Sequence, residues 1–102
     1  MDRPNDSGTN PANRIGTSGA GTVRIRYFAG AAAAAGTEQE DIRLTPKATV
    51  ADLVQVLTER HGPQLGRVLV SCSFLVDETA AGAHRPVPGG AEVDVLPPFA
   101  GG

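Results

Sequence analysis

Residues 49–57 read Thr49-Val50-Ala51-Asp52-Leu53-Val54-Gln55-Val56-Leu57. Val50, Leu53, Val54 and Leu57 recur at i, i+3, i+4 and i+7, the spacing of one apolar stripe on an α-helix, while Gln55, Glu59 and Arg60 fall on the opposite side. Thr49 is placed as the N-cap, with Asp52 at the third helical position where an acid suits the helix dipole. Gly62 and Pro63 supply the stop. A helix with a single stripe covers one face of a sheet, and the sequence on either side supplies strands.

Upstream, Val23-Arg24-Ile25-Arg26-Tyr27-Phe28 alternates, with Val23, Ile25 and Tyr27 on one face and Arg24, Arg26 and Phe28 on the other. The alanine run from Ala29 to Gly36 predicts a turn or two of helix closed by Gly36. Glu40 to Leu44 returns with Ile42 and Leu44 two apart, as an antiparallel partner of the first strand. Downstream, Leu65 to Val70 is apolar but irregular, and Cys72-Ser73-Phe74-Leu75-Val76 predicts a third strand, Cys72, Phe74 and Val76 inward, closed by Asp77 and Glu78. Pro86-Val87-Pro88-Gly89-Gly90 is turn chemistry, and Ala91-Glu92-Val93-Asp94-Val95-Leu96 alternates again with Val93 and Val95 inward. The order ββαββ predicts an α+β roll, a mixed sheet of four to five strands packed on one main helix, with the first and last strands side by side in the middle.

The composition limits the rest. The chain has 102 residues and is 40% hydrophobic, but 15 of those apolar residues are alanine, and all but two of the larger ones follow residue 22. One small core results, with no room for a deep pocket. Residues 1–22 have almost nothing to bury and are expected to form a disordered extension. Gly16, Gly19 and Gly21 precede a strand and lack a phosphate-loop lysine, so a linker is expected rather than a phosphate cradle. The domain is then residues 23–102, ending in a flexible tail at 97–102. A net charge of −2 without a Lys/Arg block leaves no footprint for nucleic acid. The single Cys72 excludes an internal disulfide and fits a reducing compartment, so the cytoplasm is expected. No apolar run is long enough for a membrane span.

Side-chain catalysis finds no constellation. Cys72 occupies an inward position with no His at a fixed nearby spacing to lower its pKa, which favours packing over nucleophilic work. His61 closes the helix beside Arg60 and His84 lies in a polar loop; neither has a second ligand at metal spacing, and no metal is expected. Glu40-Asp41 and Asp77-Glu78 are adjacent on strand ends, where neighbours point to opposite faces. Arg24 and Arg26 share a face that either steers an acidic partner or is simply solvated.

The chemistry is expected at the end of the chain. Past Leu96 come Pro97-Pro98-Phe99-Ala100-Gly101-Gly102. The prolines favour an extended stalk. Gly101 and Gly102, lacking Cβ, can thread a channel too narrow for other residues. A strand running directly into this ending, on a ββαββ domain, resembles the MoaD/ThiS family of ubiquitin-like sulfur carriers, which have a β-grasp fold. The resemblance covers about Val23 to Gly102; its most specific pieces are Pro88-Gly89-Gly90-Ala91-Glu92-Val93 and Leu96 to Gly102. Within that family it is most similar to the small subunits of molybdopterin synthase.

The resemblance implies a carrier that is not catalytic alone and binds no cofactor. A partner adenylating enzyme would use ATP to make an acyl-adenylate on Gly102, and a sulfur donor would convert it to a thiocarboxylate. The large synthase subunit, in a heterotetramer, would then take the tail so that its sulfur attacks cyclic pyranopterin monophosphate in molybdenum cofactor biosynthesis. A carrier for thiazole (thiamine) or cysteine synthesis, or a ubiquitin-like modifier conjugated through Gly102, would look nearly the same. Gly102 is then the reacting residue and Pro97, Pro98, Phe99, Ala100 and Gly101 its delivery arm. From the strand faces alone, Phe28 and Leu96 form an apolar outer patch at the root of the tail. It serves either partner docking or cover by the Ala-rich segment or a loop.

Overall fold

The computed structural model describes residues 21–98. Along the chain run β1 (Thr22–Tyr27), α1 (Ala29–Ala35), β2 (Gln39–Arg43), α2 (Val50–His61), α3 (Pro63–Val70), β3 (Ser73–Val76), β4 (Thr79–Ala81) and β5 (Glu92–Leu96). The sheet order is β2-β1-β5-β3-β4. β1 and β5 pair in parallel at its centre, and the other pairs are antiparallel. A mixed sheet with its first and last strands paired and its main helix across one face is the β-grasp arrangement expected from the sequence.

Alternation in the strands explains which face the helices cover. Val23, Ile25 and Tyr27 of β1, Ile42 of β2, Val76 of β3, and Val93 and Val95 of β5 are all buried, and they meet Leu53 and Leu57 of α2 and Leu65 and Leu69 of α3. α2 starts in a reciprocal capping box. Asp52 N–H donates to the Thr49 hydroxyl at 3.3 Å, and Thr49 N–H donates to the Asp52 carboxylate at 2.9 Å. α1 ends as expected at Gly36, whose φ of +79° is the left-handed C-cap conformation.

Two elements depart from the sequence reading. Leu65–Val70 is not irregular but lies in α3, which Pro63 opens: Gly62, at φ +99°, breaks the path of α2, and Pro63 then occupies the first helical turn, where its missing N–H costs nothing. Leu65 and Leu69, four apart, carry its buried stripe. Asp77 and Glu78 do not merely close β3. Both adopt left-handed backbone, φ +48° and +71°, the form of a tight two-residue hairpin, and deliver the chain into β4. Thr79-Ala80-Ala81 carries no large apolar residue, so it shows no alternation to read. β1 begins at Thr22, one residue before the expected start, and Gly21 O accepts from Leu44 N–H at 2.8 Å.

Candidate functional site at the root of the C-terminal arm

β5 is the central strand, and its C-terminal end is flanked on both sides. Ser73 pairs with Leu96, and Tyr27 pairs with Val95, which sets Phe28 alongside Leu96. Phe28 N–H donates to Val95 O at 3.2 Å, and Phe28 O accepts from Ala31 N–H at 3.0 Å in the first turn of α1. The Phe28 backbone is thus held between two elements while its ring stays 39% exposed. Leu96 and Pro97 are half-buried and Pro98 is exposed, so the chain leaves the sheet here. The register sets Phe28 beside Leu96, and Pro97 and Pro98 follow Leu96 out of the sheet. Phe99, Ala100, Gly101 and Gly102 lie outside the described residues.

The outer face below this patch is a set of internal ion pairs. Arg26 grips Asp94 with two hydrogen bonds, Nε at 2.8 Å and an Nη at 3.0 Å, and lies 3.6 Å from Glu92. Asp94 is nearly buried, with its side chain 8% exposed. Its hydrogen bond holds the guanidinium more firmly protonated than usual. The same guanidinium sits 5.6 Å from the centroid of the Phe28 ring, a cation–π contact that orients the ring. Arg24 pairs with Asp41 at 3.2 Å. Both arginines therefore pair within the domain, Arg24 in an exposed ion pair on a solvated face and Arg26 with a buried carboxylate. A hollow of about 370 Å³ opens beside Phe28, walled by Ala29, Ala32, Glu38 and Gln39.

The helix-covered face holds a polar cluster that the sequence reading missed. Glu40, opposite Ile25, points inward and is only 12% exposed. It accepts from Tyr27 Oη at 2.6 Å and from Arg60 Nε at 2.9 Å, and it contacts His61 Nε2. The Tyr27 and His61 rings meet edge to face. Burial pushes the Glu40 carboxyl up, but the hydrogen bonds from Tyr27, His61 and Arg60 outweigh it and leave it below the ordinary range. Burial, then the bond to Glu40, pushes the Tyr27 phenol well up. The signal was present in the parity: Glu40 shares the inward phase of Ile42 and Leu44. His61 is thus structural, and His84 is exposed in its loop.

Cys72 lies just before β3, half-buried, with its thiol donating to Val68 O at 3.2 Å. Burial pushes the thiol up, away from thiolate chemistry. Among the described residues no cluster of His, Cys, Asp and Glu is placed to hold a metal ion, and no helix is long and apolar enough to cross a membrane. What the described site consists of is an exposed Phe28 beside the point where β5 leaves the sheet.

The model of the ThiS family matches residues 25–102. The chain belongs to the ThiS family. Solved structures of similar fold place it among ubiquitin-like β-grasp proteins. Small archaeal modifier protein 1 (SAMP1) of Haloferax volcanii is 28% identical, with a TM-score of 0.71 over 80% of this chain and 100% of that one. A putative molybdopterin converting factor subunit 1 of Pyrococcus furiosus is 25% identical, with a TM-score of 0.69 over 78% and 99%. In a complex of subunits 1 and 2 of the molybdopterin-converting factor of Helicobacter pylori, a chain 22% identical shares the fold, with a TM-score of 0.58 over 79% and 99%. No curated protein matches this ThiS-family chain.

Proposed function

We propose that this chain is the small, sulfur-carrying subunit of a molybdopterin synthase, delivering sulfur as a thiocarboxylate on Gly102 to cyclic pyranopterin monophosphate in molybdenum cofactor biosynthesis. The observation that carries this is the exit of β5. The central strand ends at Leu96 and passes through half-buried Pro97 and exposed Pro98 into Phe99-Ala100-Gly101-Gly102. Four residues at full stretch reach at most about 14 Å beyond Pro98. That suits a narrow arm entering another protein's active site while the body stays outside.

The chemistry follows from what a C-terminus can do. An ionised α-carboxylate resists nucleophiles. A partner adenylating enzyme therefore activates Gly102 with ATP, and a sulfur donor displaces AMP to leave the thiocarboxylate. The chain binds no cofactor and is not catalytic alone. It supplies a reagent that the large synthase subunit uses, in a heterotetramer and in the cytoplasm. Phe28 and Leu96 would dock that subunit beside the arm. The Helicobacter pylori complex of two converting-factor subunits supports a partner of this kind.

A second role is favoured by the SAMP1 likeness, since that protein is named a modifier: conjugation through Gly102 to lysine amines. Service to thiazole or cysteine synthesis would use the same arm with a different acceptor. Coexpression with each candidate adenylating enzyme, followed by intact mass measurement, tests the carrier role. A gain equal to sulfur replacing one oxygen at Gly102 is expected. No gain with any of them overturns it, and ladders of covalent adducts in its place indicate the modifier.

A further inference from the structure

We propose that Lys47 is an acceptor for the activated Gly102 of a second copy of this chain, so that copies join head to tail through one type of isopeptide linkage. This rests on the reading above only in requiring that Gly102 be adenylated.

Lys47 is the only lysine among the 102 residues; the other eight cationic side chains are arginines, whose guanidinium groups stay protonated and do not acylate. The fold gives this single side-chain amine a defined presentation. Thr45-Pro46-Lys47-Ala48 is a turn closed by Ala48 N–H donating to Thr45 O at 3.2 Å. Pro46 holds the second position, and Lys47, at φ +68°, takes the third, where glycine or asparagine is usual. The turn is pinned on both sides. Leu44 and Ala48 are buried, Leu44 N–H donates to Gly21 O and Val87 N–H to Ala48 O, each at 2.8 Å. Thr45, Pro46 and Lys47 between them are exposed. A non-glycine residue held in left-handed backbone at the tip of an anchored turn is a position where the fold tolerates strain to place a side chain.

Position in the fold disfavours transfer within one copy. Lys47 follows β2 at the end of the sheet where Thr22 pairs with Arg43, whereas the arm leaves from the end where Leu96 pairs with Ser73. The height of β1 is about 17 Å, and β2 lies two strands from β5, about 10 Å across. An arm of six residues spans at most about 20 Å, so to reach its own Lys47, even with the lysine side chain extended toward it, it would have to double back down the domain in a nearly extended form, against the outward lead of Pro97 and Pro98. A second copy meets no such constraint. The result is a heterologous, open-ended association.

The transfer balances without an oxidant. The ε-nitrogen of Lys47 attacks the carbonyl carbon of the Gly102 acyl-adenylate, which the partner enzyme forms from ATP. A C–N bond forms, the C–O bond to the phosphate breaks, AMP leaves with the electron pair, and the surplus proton on nitrogen passes to water. Sulfur donor and amine compete for one intermediate.

The full chain and its Lys47→Arg variant, each incubated with the adenylating enzyme and ATP without a sulfur donor, provide the test. Intact mass reports adenylation of Gly102, and denaturing gels with peptide mapping report linkage. The expected result is adenylation of both proteins, a ladder only for the wild type, and Lys47 joined to the C-terminal peptide of another copy. Adenylation without a ladder, a ladder that survives Lys47→Arg, or linkage mapped to an α-amine overturns the proposal while leaving the carrier role standing. Failure to adenylate either protein overturns both.

Discussion

Tyr27 and Glu40 are diagonal neighbours across the β1–β2 pair, and the phenol donates to the carboxylate at 2.6 Å. Arg60 and His61 at the end of α2 reach the same carboxylate, so one glutamate ties the edge of the sheet to the helix that covers it. Replacing Glu40 with alanine leaves the Tyr27 hydroxyl without its acceptor in a half-buried site, and a loss of about 1–3 kcal/mol is expected in urea unfolding. The pH dependence has a definite sign. Because the folded Glu40 carboxyl is held below the ordinary 4.5, its contribution is fully present above that value and is lost as pH falls through the lower folded value. Glu40→Gln should therefore flatten the acid limb of a melting-temperature profile below about pH 4.5. An unchanged limb would show that Glu40 is not the group responsible.

Arg26 and Asp94 form a pair of unequal burial: the Arg26 side chain is 39% exposed and that of Asp94 8%. Removing one partner strands the other, and the stranded group suffers according to its access to water. Arg26→Ala leaves a nearly buried carboxylate without its two charge-assisted hydrogen bonds. Asp94→Ala leaves a guanidinium that water and Glu92 can still reach. The first variant should melt at the lower temperature. The opposite ranking in thermal unfolding would refute the account of this pair.

Most of the fold was legible because its strands alternate and its main helix carries both a stripe and a cap. Val23, Ile25 and Tyr27, Val93 and Val95, and the Thr49–Asp52 box all stand where periodicity puts them. What escaped had weak local signals for physical reasons. Pro63 both ends one helix and starts the next, and only the tertiary position of Leu65 and Leu69 tells which matters. β4 is made of Thr79 and two alanines, so its pairing with β3, not its own pattern, makes it a strand. The Arg26–Asp94 pair is invisible without the parallel register that sets those residues opposite each other. Strand parity alone puts Phe28 and Leu96 on the outer face, where Phe28 is 39% exposed and Leu96 half-buried.

Phe28 offers the most direct check on the proposed docking. Its ring lies on the outer face, 39% exposed and outside the buried cluster, so the domain has little to lose when it is replaced. A carboxylate there would place a charge against whatever apolar surface covers the root of the arm. Arg26, 5.6 Å from the ring, is already committed to Asp94 and could answer that charge only in part. Phe28→Asp should keep its circular dichroism spectrum and nearly its melting temperature while weakening binding to the proposed partner, a large synthase subunit, roughly tenfold or more, about 1.4 kcal/mol or above, as for a truncated interface anchor. Calorimetric titration of the two subunits reads the affinity. Unchanged affinity would remove the outer face from the docking surface, and a collapsed melt would show that the ring packs the domain rather than a partner.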